Sequence, residues 1–370
     1  MPREKTKQEE KTRVNPEMIT LARESRGYTQ NELAKRLRVT QGLLSKVESG
    51  LKPATPELIG KLAEALDYPE RFFTLQDRVY GLGLGTLYHR KRQSLSSTTL
   101  AKVHSQINII RIHLSRLLAA VELPASKIER IDLDEVKSPD QIARIVRARW
   151  MLKLGPVQSV TKSIEEAGGI VIRCDFGTPL IDAISQWPPD MPPLFFVNKD
   201  IPGDRLRYSL AHEIGHIVMH EEYGDGMENE ADRFAAEFLM PASDIAPFLG
   251  TISLPQLATL KSYWKVSMAA LLKRASDLEK INQGQARYLW MRMSQAGYRK
   301  KEPPELDIPV EESTSIRDLL GLHRNRLGYS VAELSDLLVL NEHEFRANYL
   351  GQTTQMRVVP IREYLRANVN

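Results

Sequence analysis

The chain has 370 residues, of which 42% are hydrophobic and 26% charged, with a formal net charge of +4. That length exceeds one ordinary hydrophobic core and predicts two or three domains, while the composition excludes a wholly disordered chain. A single cysteine, Cys174, excludes an intrachain disulfide and a cysteine-rich zinc site, so any metal must be held by His, Asp or Glu.

Residues 1–13 read as a flexible charged tail without the apolar centre of a signal peptide, and no run approaches the roughly eighteen apolar residues of a membrane span. With the lone cysteine, this leads to the expectation of a cytoplasmic protein without a membrane partner. Over residues 14–75, apolar positions recur at helical spacing in short blocks, which predicts a compact all-α unit. Thr29 and Glu32 form the T-x-x-E of a capping box, Thr40 caps the next helix, Gly50 stops it, and Thr55-Pro56 opens another.

Residues 76–125 read as a basic helical linker. Within 78–121 stand Arg78, Arg90, Lys91, Arg92, Lys102, Arg111 and Arg116 with no Asp or Glu, a local charge of +7. Such a segment can follow DNA phosphates or serve as a solvated connector. The GLGLG of 81–85 reads as a hinge, and the apolar period over 98–121 predicts a long helix whose stripe serves either a homodimer or internal packing.

Helices follow over 139–167, then three strands in GGIVIRCDF (168–176), LIDAISQW (180–187) and PLFFVN (193–198). This small sheet precedes a helix carrying LAHEIGHIVMH, residues 210–220. Another helix runs from Glu228 to Met240 and is stopped by Pro241, and two more lie within 255–280. Residues 281–314, ending in the proline-rich and charged KKEPPELDIPVEEST, read as a linker to a helical module over 315–370. The expected fold is α+β and mainly helical: an all-α head, a central unit over 126–280 with a small sheet, and a C-terminal helical domain.

On a helix, His212 and His216 are four residues apart, so both imidazoles leave one face and can share one Zn²⁺ per chain. Glu213 beside them is the catalytic candidate, a carboxylate able to take a proton from an attacking water and pass it to the leaving amine. The third metal ligand is expected in GMENEADRFAAEFLMP (226–241), where Glu228 is favoured and Glu230, Glu221 and Glu222 are the alternatives. Asp232, four residues after Glu228, then faces the same way and can hold a ligating histidine by its free N–H. A fourth ligand would close the site to water, so His220 reads as a pocket-wall or surface histidine. Tyr223, His220 and Arg207 are the candidates for stabilising the oxyanion.

Two resemblances follow from these motifs. The turn at RGYTQ with the following SKVESG resembles the helix-turn-helix domain of XRE-type, phage-repressor-like regulators. The resemblance implies DNA binding, with Gln41, Ser45 and Lys46 on the groove-facing helix and Gln30 on the backbone. HEIGH followed by ENEADRFAAEFLMP resembles the ImmA/IrrE (DUF955) zinc metallopeptidases. That implies a thermolysin-like core in which His212, His216 and Glu228 hold zinc and Glu213 acts on the substrate, an XRE-type repressor. Its cleavage, or self-cleavage, would release stress, phage-defence or mobile-element genes. A transcriptional regulator with a structural or sensory zinc site is the other function considered.

The far end of the chain contains an echo of the head. RNRLGYSVAELSDLLVLNEHEFRANYL (324–350) aligns without a gap on residues 23–49, matching Gly27, Tyr28, Glu32, Leu33 and Leu37 to Gly328, Tyr329, Glu333, Leu334 and Leu338. Residues 29–49 hold Lys35, Arg36, Arg38 and Lys46 against Glu32 and Glu48, a charge of +2. Residues 330–350 hold Arg346 against Glu333, Asp336, Glu342 and Glu344, a charge of −3. Phosphates would repel an acidic groove helix, so this degenerate helix-turn-helix is expected to contact protein, as a mimic docking where a repressor would.

Overall fold

The computed structural model describes residues 13–81, 95–136, 138–222 and 224–351. The head consists of α1 (Pro16–Ser25), α2 (Gln30–Leu37), α3 (Gln41–Glu48) and α4 (Pro56–Leu66), closed by a 3-10 turn at Glu70–Thr74. Asn15, Thr29, Thr40 and Thr55 each accept a first-turn amide, so every helix start satisfies one otherwise orphaned donor. Helices this short are marginal alone; Met18, Ile19, Leu33, Leu44 and Leu62, all fully buried, hold them to one another.

Helix α5 (Ser97–Leu118) is buried on two sides. Ile109, Ile112 and Leu117 join the core of the head, whereas Val103, Ile107 and Leu114 lie against the sheet. The apolar stripe that could have made a homodimer is therefore spent within the chain. Two of the seven cations expected to follow phosphates, Arg111 and Arg116, are engaged within the chain. Buried Arg111 donates to the Arg78 carbonyl and lies 4.4 Å over the Tyr80 ring, and Arg116 pairs with Asp77 at 2.9 Å. Arg90, Lys91 and Arg92, with hinge residues 82–85, fall outside the described residues.

The central unit adds α6 (Pro139–Arg149) and α7 (Val160–Glu166), then β1 (Ile170–Cys174), β2 (Ala183–Gln186) and β3 (Leu194–Asn198). The sheet order is β1-β3-β2, with β1 parallel and β2 antiparallel to β3. Side chains alternate between two covered faces, so the strands are nearly continuous apolar runs. Val171, Ala183, Phe195 and Val197 face the central helices, whereas Ile172, Ile184 and Phe196 face α5.

Helices α8 (Gly203–Met219) and α9 (Met227–Leu239) follow, then α10 (Leu254–Trp264), α11 (Met268–Asp277) and α12 (Gln283–Gln295). Residues 281–314 are not a free linker. Helix α12 packs Ala286, Leu289 and Met293 into the central core, and the segment after it is bolted down by acids that meet buried cations. Glu302 accepts from Lys261 at 2.7 Å, while Glu311 pairs with Arg207 and accepts the amide of Thr161 at 2.7 Å. A side chain at Gly203 would collide with the backbone oxygens of Ile308 and Pro309, so glycine is required where this strap crosses α8.

The C-terminal module comprises α13 (Ser315–Asn325), α14 (Val331–Leu338) and a short helix, Glu342–Phe345, that widens into a π turn at Arg346–Leu350. Its backbone repeats that of the head. Ser330 and Glu333 form the same reciprocal capping box as Thr29 and Glu32, Gly27 and Gly328 both adopt φ 75°, and Arg38 and Val339 end their helices in the left-handed region. Leu334, Leu338 and Phe345 are fully buried in the core of the head. Across that seam Glu344 accepts two bonds from Arg26, at 2.7 and 2.8 Å, and Asp67 accepts from Asn341 at 2.8 Å and pairs with His343 at 2.7 Å. The acidic helix thus meets the head of its own chain. Among the described residues no helix is long and apolar enough to cross a membrane.

Candidate functional site

Helix α8 places Leu206, Leu210, Ile214 and Ile217 toward the core, and the three- and four-residue steps put His212 and His216 on another face. Helix α9 starts after Gly226, whose φ of 93° suits glycine, and carries Glu228 and Glu230 in its first turn where the helix dipole favours acids. The two helices approach closely at Gly215, where an added Cβ would stand 3.2 Å from the Ala231 Cα. That approach brings Glu228 over the two histidines.

The Nε2 atoms of His212 and His216 are 3.0 Å apart, and the two carboxylate oxygens of Glu228 lie 3.4 Å from them, one each. Among the described residues, these are the three whose ligand atoms gather tightly enough to share a metal ion. Two nitrogens on one tetrahedral zinc at 2.0–2.1 Å would stand about 3.3 Å apart, so the spacing fits. The Oε1 of Glu228 is buried without a hydrogen-bond partner, which suits an acceptor awaiting a cation.

Surrounding groups fix the ligands. Asp232 stands 3.1 Å from His212 Nδ1, leaving Nε2 for the metal. His216 Nδ1 stands 3.0 Å from His220 Nδ1, and His220 Nε2 stands 3.0 Å from Glu230. Glu230 is therefore engaged by His220 and does not join the ligand cluster. Glu221 is exposed and pairs with Arg130 at 3.3 Å, and Glu222 is exposed. His220 is 8% exposed, so it is a wall residue rather than a surface one.

The charges are strongly perturbed. Burial alone would lower His212, but hydrogen bonds to Asp232 and Glu228 hold it up at about 10. Burial would raise Glu228, yet the two histidines bring it down to about 2. Asp232 is lowered as well, because the His212 hydrogen bond outweighs its burial. His220 is lowered, first by burial and then by the neighbouring His216.

Glu213, 5% exposed, accepts a 2.5 Å hydrogen bond at Oε2 from the hydroxyl of Ser185 on β2. This serine was not legible in the sequence, because no spacing motif links a strand residue to the helix beneath it. A cleft of about 260 Å³ opens beside these groups, lined by Ser185, Gln186, Trp187, Arg130, His216 and His220. Of the oxyanion candidates, Arg207 is 1% exposed and tied to the Val157 carbonyl and Glu311, and both nitrogens of His220 are engaged. Tyr223 lies outside the described residues.

In the head, Gln41 and Lys46 are exposed on α3, and Ser45 is half-buried. Gln30 accepts from Gln41 at 2.8 Å and donates to Glu48 at 2.8 Å, and Glu48 is itself anchored by Arg23 at 2.7 Å. The start of α3 is thereby tied to α2, while Lys46 is exposed. The described residues of the C-terminal module meet a different part of the head, around Arg26 and Asp67.

Residues 164–276 match the family model of the IrrE N-terminal-like domain of peptidase family M78, and residues 19–73 match that of a helix-turn-helix family. No curated protein sequence matches the chain. The chain thus joins a helix-turn-helix unit, of the kind that binds DNA, to a domain of a metallopeptidase family, in the order expected from the motifs.

Proposed function

We propose that the chain is a DNA-associated regulatory zinc endopeptidase that cleaves an XRE-type repressor. The observation that carries this reading is the convergence of His212, His216 and Glu228 beside a buried Glu213 that is held by Ser185, a residue lining an open cleft. A purely structural metal site has no use for such a base.

When bound, a zinc ion would supply a Lewis acid that polarises a peptide carbonyl and makes water more acidic. His212 and His216 would hold it through Nε2 and Glu228 through its carboxylate, with Asp232 and His220 fixing the two imidazole tautomers. Ser185 occupies Oε2 of Glu213, so Oε1 is the atom that takes the proton of the attacking water and delivers it to the departing amine. Among the described residues the outer side of β2, at Ser185 and Gln186, pairs with no other strand, and it would give an extended peptide a backbone ladder beside that carboxylate.

The head would bring this machinery to DNA, Gln41 and Lys46 facing base edges and phosphates and Gln30 bracing them. Repressors sharing the operator are then presented to the cleft at high local concentration. The test is incubation of the zinc-loaded chain with helix-turn-helix repressors encoded beside its gene, with and without operator DNA. The expected result is a discrete cut that DNA accelerates. Tight DNA binding and zinc binding without a cut under any condition would leave a regulator with a structural or sensory metal site.

A further inference from the structure

A further feature lies away from the candidate metal centre. A cavity of about 450 Å³ stands where the head, α5, β1 and the C-terminal module meet. Its volume is in the range of sites for small organic molecules. Ile109, Ile110, Val171, Ile172, Ile316 and Leu340 supply apolar walls from four different elements.

Among the described residues, two buried polar atoms on the α5 wall have no partner. His113 is 3% exposed; its Nδ1 is 2.6 Å from the Tyr349 hydroxyl, and its Nε2 is buried without a hydrogen bond. Gln106 Oε1 is likewise buried and unpaired. Each such group is expensive to leave unsatisfied. Burial pushes His113 down to about 3, so the imidazole is neutral and suits a hydroxyl or carbonyl rather than an ion. Gln106 and His113 stand seven residues apart on one helix, about 10.5 Å, so a molecule reaching both is extended.

The rim is positive where it is open. Glu344 is engaged by Arg26 and Asp175 by Lys199, at 2.7 Å each. Arg173 donates to the Lys199 carbonyl and, like Arg317, has only a loose acidic neighbour at 3.7 Å; Glu312, the neighbour of Arg173, is 78% exposed. The geometry points to a binding site for an elongated organic acid, with its carboxylate at Arg173 and Arg317, its body between the aliphatic walls and a polar group reaching His113. Because every module lines the cavity, its occupant ties the head to the sheet and to the C-terminal module.

Isothermal titration of the full chain with decanoate, 10-hydroxydecanoate and decanamide, each below its micelle concentration, tests this. Both acids are expected to saturate at about one per chain and raise the melting temperature, with the amide at least about tenfold weaker. Arg173→Gln should remove the preference for acid over amide, and Ile110→Trp should abolish binding of all three by filling the space. If Ile110→Trp does not fold, Arg173→Gln carries the test alone, since its side chain sits at the mouth. Absence of saturable binding by either acid, or binding that Arg173→Gln leaves unchanged, overturns the proposal.

Discussion

The hydroxyl of Ser185 donates to the Glu213 carboxylate at 2.5 Å, joining the edge strand of the sheet to the helix that carries both histidines. The bond ties Oε2 of Glu213 to a residue that lines the cleft. Its removal should misorient the base without touching the metal ligands. Ser185→Ala is expected to lower the cleavage rate about 10–100-fold at unchanged zinc content, the range seen when a supporting hydrogen bond is lost. Equal rates for the two proteins would show that Glu213 is oriented by other contacts.

His216 reaches Glu230 through His220, in two steps of 3.0 Å each. With the metal on Nε2, His216 must donate from Nδ1, and His220 must then donate from Nε2 to the acid. Glu230→Gln breaks the acceptor end of that chain. Zinc affinity, measured by competition with a chelator, should fall about 10–100-fold while the melting curve of the zinc-free protein stays in place. An unchanged affinity would reduce His220 to a wall of the cleft.

Protons compete with the metal in a definite direction. Burial alone would lower His212, but the hydrogen bonds to Asp232 and Glu228 hold it up at about 10, so near pH 7.5 the metal-free site retains its proton. In that form the raised value adds stability that is full below the unfolded value near 6.5 and is lost as pH climbs toward 10. Zinc must displace the proton, so affinity should rise with pH over this window. Titration in buffers of differing ionisation enthalpy should show about one proton released per zinc at pH 7.5. A heat independent of buffer would contradict this.

The C-terminal module is expected to stabilise the head through Arg26 and Glu344, joined by bonds of 2.7 and 2.8 Å in a partly buried seam. Glu344→Ala should cost about 1–2 kcal/mol, because the guanidinium loses two charge-assisted bonds. The exposed face of α3 is untouched, so DNA affinity at 25 °C should change less than about twofold. Chemical denaturation followed by fluorescence anisotropy on operator DNA measures both.

Local pattern was enough to read the chemistry and the helix starts. The spacing of His212 and His216, the capping box at Thr29 and the apolar runs of β1 and β3 each depend on neighbours a few residues away. What escaped depends on distant approach. Glu302 and Glu311 looked like the charges of a solvated linker, yet they meet Lys261 and Arg207, which are buried far along the chain. Arg111 and Arg116 looked like a surface for phosphates and instead hold the segment at 77–81. Residues 330–350, with a charge of −3, meet the chain's own head, and charge alone carried no sign of that contact.

The central claim is that His212, His216 and Glu228 hold a zinc ion on which Glu213 acts as base. Zinc content and repressor cleavage measured side by side for Glu213→Gln and Glu228→Ala test it most directly. The account predicts about one zinc per chain and no cleavage for Glu213→Gln, and neither zinc nor cleavage for Glu228→Ala. Cleavage at the wild-type rate by Glu213→Gln, or full zinc retention by Glu228→Ala, would contradict it.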